Sequence, residues 1–272
     1  YAAAPTLATL GMLAVFAAAF CLIASMYGGG FATVPANYWP LRQRLLARGA
    51  ARVDIAPVWT PDWVLGALLG FGSLMLRTGR AIGRTWRAGG RRPIIVVGHS
   101  AGGIAARLAM ADKPFNNRIA DVAEAVGCLV TLGTPHGLAM LTNRYHHAGH
   151  AALAFLDQAT PGAHFAPRTS YLSVGGRTPG AEFPGLMGNL ANQAFGIAVG
   201  KETQALGDGI VPYSAVHLEG ATQLTYEDVR HGMVGAPWYG DDVMLDRWWP
   251  VALDLWRAAL KARSEAGSAV LA

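Results

Sequence analysis

The feature that most constrains this chain is a serine between a short β-branched run and a run of helix formers. Residues 94–97 read Ile-Ile-Val-Val, too short for a helix and apolar throughout, as in a parallel strand covered on both faces. Residues 104–111 read Ile-Ala-Ala-Arg-Leu-Ala-Met-Ala and favour a helix. Between them stands Gly98-His99-Ser100-Ala101-Gly102. This arrangement predicts a sharp strand-to-helix turn that exposes Ser100 at the carboxyl edge of a sheet.

Ser100 is therefore the candidate nucleophile. At the start of a helix it lies beside free backbone N–H groups and the positive end of the helix dipole, which favour a developing oxyanion. Gly98 and Gly102 are expected to prevent side-chain clashes in the turn. With 34 glycines in the chain, Gly-x-Ser-x-Gly alone is a weak signal. The strand before it and the helix after it make the pattern informative.

Further strand and helix patterns alternate along the chain and predict an α/β fold, an open and mostly parallel sheet with helices on both faces. The other predicted strands are Phe20–Tyr27, Arg52–Val58, Val126–Leu132, Tyr171–Val174 and Thr222–Tyr226. Helices are predicted over Asn37–Ala47 and Asp62–Arg87, and a terminal helix contains Trp248 and Trp256. In such a sheet the reactive groups collect at the carboxyl ends of the strands.

The chain of 272 residues is expected to form one domain over residues 20–272. Residues 1–19 are an apolar segment of uncertain role, because a membrane or signal segment and a covering helix fit it equally well. The localisation follows from that choice: cytoplasmic, membrane-associated and secreted all stay open. Residues 138–168 lack a strand pattern and form an insert expected to overhang the site, either as a lid or as packed helix.

Composition limits the partners. Charged residues make up 14% of the chain and the net charge is +5, with the densest basic stretch between Arg77 and Arg92. No aromatic platform beyond Trp86 interleaves with it, which argues against nucleic-acid binding and favours a solvated face or contact with an anionic surface. The two cysteines, Cys21 and Cys128, lie in apolar runs and indicate no disulfide framework. His146, His147 and His150 lack the further ligands that a zinc site needs.

A serine hydroxyl needs a base, and His231 is the candidate. It directly follows the last predicted strand, on a loop at the same sheet edge as Ser100. The other histidines fit less well: His99 lies inside the turn, His136 precedes any suitable acid, His164 belongs to the insert, and His217 follows Pro212 on a predicted short helix.

Asp208 is the candidate acid that orients the histidine. Gly207 and Gly209 flank it and allow the backbone to turn sharply towards the site. Asp157 lies in the insert and Glu227 is close to His231 in sequence, so both are weaker choices. The chain order is then Ser100, Asp208, His231.

Four motifs together resemble the bacterial lipase and esterase branch of the α/β-hydrolase superfamily. They are Gly98-His99-Ser100-Ala101-Gly102-Gly103, Thr131-Leu132-Gly133-Thr134-Pro135-His136-Gly137, Gly207-Asp208-Gly209-Ile210-Val211-Pro212, and His231. The sequence is similar both to small bacterial triacylglycerol lipases and to lipase-like hydrolases of cyanobacteria and plants, over about residues 20–257. The resemblance implies an oxyanion hole made by the backbone N–H groups of Ala101 and Phe31. Many members carry histidine where this chain has Gly29.

The resemblance implies a serine esterase or lipase that acts through an acyl-enzyme on small-molecule or lipid esters and needs no cofactor and no metal. Contact with a membrane or lipid interface and the oligomeric state stay open. Other functions for the same triad are acyltransferase, thioesterase and amidase, and a non-catalytic binding protein of the same fold is the alternative outside enzymes. A nucleotide-binding interpretation of Gly28-Gly29-Gly30 fails, because Thr33 stands where a third glycine is needed and Asp54 lies within its predicted strand.

Overall fold

The computed structural model describes residues 34–137, 147–178, 206–232 and 237–269. Several sequence predictions fall outside these ranges: the role of residues 1–19, the strand Phe20–Tyr27 and the oxyanion donor Phe31. Residues 138–146 are also outside, so the choice between lid and packed helix stays a prediction for that part of the insert.

Four strands form a parallel sheet in the described part of the chain. They are β1 (Ile94–His99), β2 (Val126–Leu132), β3 (Ser170–Gly176) and β4 (Thr222–Tyr226), in the spatial order β1-β2-β3-β4. Each neighbouring pair is parallel. The carboxyl ends of all four strands therefore meet at one edge. This parallel sheet with helices around it confirms the predicted α/β fold class and is consistent with an α/β-hydrolase fold.

Helices cover the sheet on both faces. In chain order they are α1 (Trp39–Ala47), α2 (Thr60–Leu69), α3 (Gly72–Ala88), α4 (Ala101–Met110), α5 (His147–Ala159), α6 (Tyr213–Val216) and α7 (Asp242–Ala269). One apolar core packs α3, α4 and α5 against the sheet, and a second core packs α1 and α7 against it. Every residue of β2 is buried, which is why its sequence is almost continuously apolar.

The predicted strand Arg52–Val58 is wrong, because these residues form no ladder with any described strand. Their backbone groups bond elsewhere: the carbonyl oxygen of Val53 accepts a hydrogen bond from Nε of Arg42 (2.9 Å), and the N–H of Val58 donates to Ala56 (2.8 Å). Pro57 has no N–H to donate. These residues thus lie outside the described sheet.

The single helix predicted over Asp62–Arg87 is two helices. Gly70 ends α2 with a φ of +95°, a conformation that glycine adopts at little cost, and α3 begins at Gly72. The two helices pack closely, because a Cβ on Gly66 would collide with the side chain of Leu74. None of the helices in the described ranges is both long and apolar enough to cross a membrane.

Candidate active site

Ser100 joins β1 to α4 in a strained backbone conformation. Its φ is +52° and its ψ is −132°, which a non-glycine residue rarely adopts and which is typical of a nucleophile at a strand-to-helix turn. Hydrogen bonds to the neighbouring strand β2 and to the loop after it maintain this strained conformation. The N–H of Ser100 donates to the carbonyl oxygen of Leu132 (2.9 Å), and the hydroxyl of Thr134 donates to the carbonyl oxygen of Ser100 (2.9 Å). β2 and the loop after it therefore fix the turn.

The glycines around Ser100 have different roles. A Cβ on Gly98 would lie 2.6 Å from the Cα of Gly103, and one on Gly103 would collide with the side chain of Thr134. A Cβ on Gly102 would meet no described atom within 4 Å. The expectation that Gly102 prevents a clash is therefore wrong for the described residues, and Gly103, outside the five-residue pattern, is the tightly packed glycine.

Asp208 is buried, with 1% of its surface exposed, and its carboxylate accepts four hydrogen bonds. Oδ1 accepts from the backbone N–H groups of Ile210 (3.1 Å) and Val211 (2.8 Å). Oδ2 accepts from the hydroxyl of Tyr239 (2.7 Å) and from Nδ1 of His231 (2.8 Å). Burial by itself raises the pKa of Asp208, but His231 and the Tyr239 hydroxyl outweigh burial and hold that pKa below its ordinary value. The carboxylate is thus kept ionised.

His231 is joined to Asp208 twice. Besides the bond from its ring, its backbone N–H donates to the carbonyl oxygen of Asp208 (2.8 Å). Gly133 makes room for the pair, because a Cβ there would lie 2.5 Å from Oδ2 of Asp208 and 3.0 Å from Nδ1 of His231. Nε2 of His231 is buried and has no hydrogen-bond partner among the described residues, Ser100 included.

His99, the residue before Ser100, packs against His231. Their ring centroids are 4.8 Å apart, so the turn and the histidine lie side by side. The other side of His99 is held by the hydroxyl of Tyr38, 3.0 Å from Nδ1. Burial, followed by the neighbouring His231, lowers the pKa of His99 to about 3. His99 is therefore a neutral side chain that packs beside His231.

Residues 80–153 match the PGAP1-like alpha/beta domain. That family is of the serine esterase-type α/β-hydrolase kind, so the match points to a hydrolase of the α/β type. The matched residues run from α3 to α5 and include Ser100 and Thr134, whereas Asp208 and His231 lie outside them. No curated protein matches the chain.

Ala101, the expected oxyanion donor, is the first residue of α4. The first N–H groups of a helix have no acceptor within the helix, and no side chain of Ser100 caps this one. The backbone N–H of Ala101 is therefore suited to bind an oxyanion formed at Ser100.

The alternative acids and bases take other positions. Asp157 is exposed on α5, and Glu227 is exposed beside Arg177, 3.9 Å away. His136 is buried in a separate network with Arg107 (3.3 Å) and Thr131 (3.1 Å). His217 bonds to Ser173 and Thr225, and the His164 ring contacts that of Phe165 edge to face.

Tyr239, Thr134 and Gly133 were not predicted as site residues. Gly133 and Thr134 belong to a motif that the sequence analysis singled out, and their position directly after a strand on the active edge is a usable signal. Tyr239 lies in the turn before α7, and no local pattern distinguishes it. Within the described residues, no group of three or more His, Cys, Asp or Glu side chains is placed to hold a metal ion.

Proposed function

We propose that this chain is a serine hydrolase that cleaves carboxylic esters, with Ser100 as nucleophile, His231 as general base and Asp208 as the acid that orients it. The Ser100 hydroxyl attacks the ester carbonyl while its proton passes to Nε2 of His231. The histidine then protonates the departing alkoxide, which leaves as an alcohol, and an acyl-enzyme remains. Water, deprotonated by His231, attacks the acyl carbon and releases the acid and the free serine.

The observation that carries the proposal is the hydrogen bond from Nδ1 of His231 to the buried carboxylate of Asp208, which leaves Nε2 of the same ring unpaired among the described residues. A buried unpaired polar atom costs about 1–3 kcal/mol, and Nε2 of His99 is unpaired within the same ranges as well, so the bond to the carboxylate is what distinguishes His231. Here Nδ1 is bonded to a buried carboxylate, while Nε2 is buried and unpaired among the described residues, beside a strained serine turn. This arrangement is expected of a general base that forms its hydrogen bond to the nucleophile only when substrate binds.

The substrate class is inferred from the apolar composition of the insert at residues 138–168, which is expected to overhang the site. Lipid-like or short to medium acyl esters are therefore proposed, in keeping with the resemblance to bacterial lipases. Oxyanion binding by Ala101 and Phe31 belongs to the same proposal, and one such donor is worth about 3 kcal/mol of transition-state stabilisation.

The test is an ester panel of graded acyl length with the wild type and three variants. Ser100→Ala and His231→Gln are expected to lower kcat/KM by at least about 10⁴-fold, and Asp208→Asn by about 10⁴-fold. A fluorophosphonate probe should label the peptide that contains Ser100. Activity that survives Ser100→Ala, or labelling of another peptide, overturns the proposal. Product analysis with added alcohol, thiol and amine acceptors separates hydrolysis from acyl transfer.

A further inference from the structure

Helix α3 carries a row of arginines along its solvent face. Arg77, Arg80, Arg84 and Arg87 are all exposed, and their spacing places them on one side of the helix. The sequence contains no Asp or Glu between Asp62 and Asp112. Arg77 pairs with Asp62 (3.0 Å), but no described carboxylate lies within ion-pair distance of the other three arginines. Their charge is therefore available to an outside partner.

An apolar row lies beside these arginines on α2. Leu65 is 48% exposed and Leu69 is 77% exposed, and Trp59 at the start of the helix is 51% exposed. Leu65 and Leu69 are three and seven residues after Asp62 and so share its side of α2. Because Asp62 binds Arg77, the apolar row of α2 and the arginine row of α3 meet at this ion pair.

We propose that these two rows form a docking surface for an anionic lipid bilayer. Guanidinium groups bind phosphates in bidentate fashion, and each basic side chain near an anionic membrane adds about 1 kcal/mol of attraction. Exposed leucine and tryptophan side chains beside them insert at the boundary between headgroups and acyl chains. A nucleic acid would use the arginines but would give the two leucines no partner, so the bilayer fits the surface better.

The docked orientation has a structural consequence. Helix α2 packs against α5, the described helix of the insert, so a bilayer on α2 lies next to the part of the chain expected to overhang Ser100. The inference about the surface itself does not depend on ester hydrolysis. It would hold for a protein of this shape with no activity at all.

The test is flotation of the full chain with vesicles of phosphatidylcholine alone and with 30% phosphatidylglycerol. Residues 1–33 carry no charge and are expected to bind both lipids alike, so the readout is the ratio of anionic to neutral binding. Replacing Arg80, Arg84 and Arg87 together by Gln should lower that ratio by about 100-fold, to the limit set by neutral binding. The matched control replaces Arg168, Arg247 and Arg257 by Gln, which removes the same charge from arginines that already have carboxylate partners.

The control variant is expected to change the ratio by less than about threefold. A second pair of variants tests the apolar row: Leu65→Ser with Leu69→Ser should weaken anionic binding by about tenfold, whereas Val243→Ser, 57% exposed on α7, should not. Equal losses in the two triple variants overturn the proposal. So does a wild-type ratio near one, or binding to duplex RNA without binding to anionic vesicles.

Discussion

At the residue scale, the turn that holds Ser100 depends on how much space lies beside each of its glycines. Gly98 faces the backbone of Gly103, while Gly102 faces space that no described atom fills. The two glycines look equivalent in the sequence, because each is two positions from the serine. Their packing is not equivalent, and this difference is directly measurable.

Gly98→Ala should lower the free energy of unfolding by about 2–3 kcal/mol, because the added methyl meets backbone that cannot move aside. Gly102→Ala is the matched control. Within helix α4 an alanine is favoured over glycine, so this variant should be neutral or gain about 0.5–1 kcal/mol. Urea unfolding followed by circular dichroism measures both, and similar losses in the two variants would contradict the packing described for Ser100.

Tyr239 supplies the fourth hydrogen bond to Asp208, and its removal leaves a buried carboxylate short of one donor. Tyr239→Phe should therefore cost about 2 kcal/mol of unfolding free energy, the usual value for a hydrogen bond to a charged group. Tyr226→Phe, at a half-buried tyrosine stacked with Arg247 (5.4 Å), should cost less than about 0.5 kcal/mol. Urea midpoints at neutral pH give the comparison. An equal cost in both would mean that the Tyr239 hydroxyl does not support the carboxylate.

At the scale of elements, the long helix α7 is held at its far end by one arginine. Arg263 donates hydrogen bonds to the carbonyl oxygens of Glu124 (2.9 Å) and Val126 (2.9 Å) and to that of Arg168. Its side chain is only 12% exposed. Helix α7 is thereby tied to the starts of β2 and β3, at the edge of the sheet opposite the site.

Arg263→Met should lower the unfolding free energy by about 2–3 kcal/mol, because the hydrogen bonds of a largely buried guanidinium to three carbonyl groups are lost. Arg257→Met, on the same helix, removes only an exposed pair with Asp254 and should cost less than about 0.5 kcal/mol. Thermal unfolding of the two variants provides the measurement. If Arg257→Met lowers the unfolding free energy more than Arg263→Met does, the hydrogen bonds of Arg263 do not hold α7 in place.

Strands buried on both faces could be predicted closely from sequence, because burial leaves a continuous apolar run. Val126–Leu132 is fully buried and has the predicted bounds. Thr222–Tyr226 also has the predicted bounds, although its residues are exposed or half-buried. The error at Arg52–Val58 arose because an apolar extended run and a paired strand look alike until the partners of their backbone groups are known. The break at Gly70 was missed because glycines at five positions between Asp62 and Arg87 gave no indication of which one adopts a positive φ.

At the scale of the whole molecule, buried neutral histidines link folding to pH. Burial lowers the pKa of His99 to about 3, and burial, with Arg107 next, lowers that of His136 well below 6.5. Both stay neutral in the fold, whereas in the unfolded chain they gain protons near pH 6.5. Their stabilisation is complete above that pH and is lost as pH falls from 6.5 towards 3, by up to about 1.4 kcal/mol per pH unit for each histidine.

Urea unfolding at pH 7.5, 6.5 and 5.5 should therefore show falling stability, and His99→Gln should reduce the slope below pH 6.5 by up to about 1.4 kcal/mol per pH unit. His164→Gln is the control, because that side chain is exposed in the fold. The expectation fails if His99→Gln and the wild type lose stability in parallel.

The candidate site was also predictable in part at this scale. In a parallel sheet, residues that follow successive strands share one edge, so chain order alone suggested that Asp208 and His231 meet. The structure brings these two together and adds Tyr239, whose hydroxyl donates to Asp208. Tyr239 follows β4 in the chain, whereas Asp208 precedes β4, and the two residues are 31 positions apart. Contacts of that kind depend on how a turn and a helix pack, and no local pattern encodes them.

The double attachment between residues 208 and 231 makes them a single rigid unit. The backbone of the serine is anchored as well, by its N–H and carbonyl bonds to residues 132 and 134. In the proposed reaction the freedom that remains is therefore rotation of the serine oxygen about a single bond.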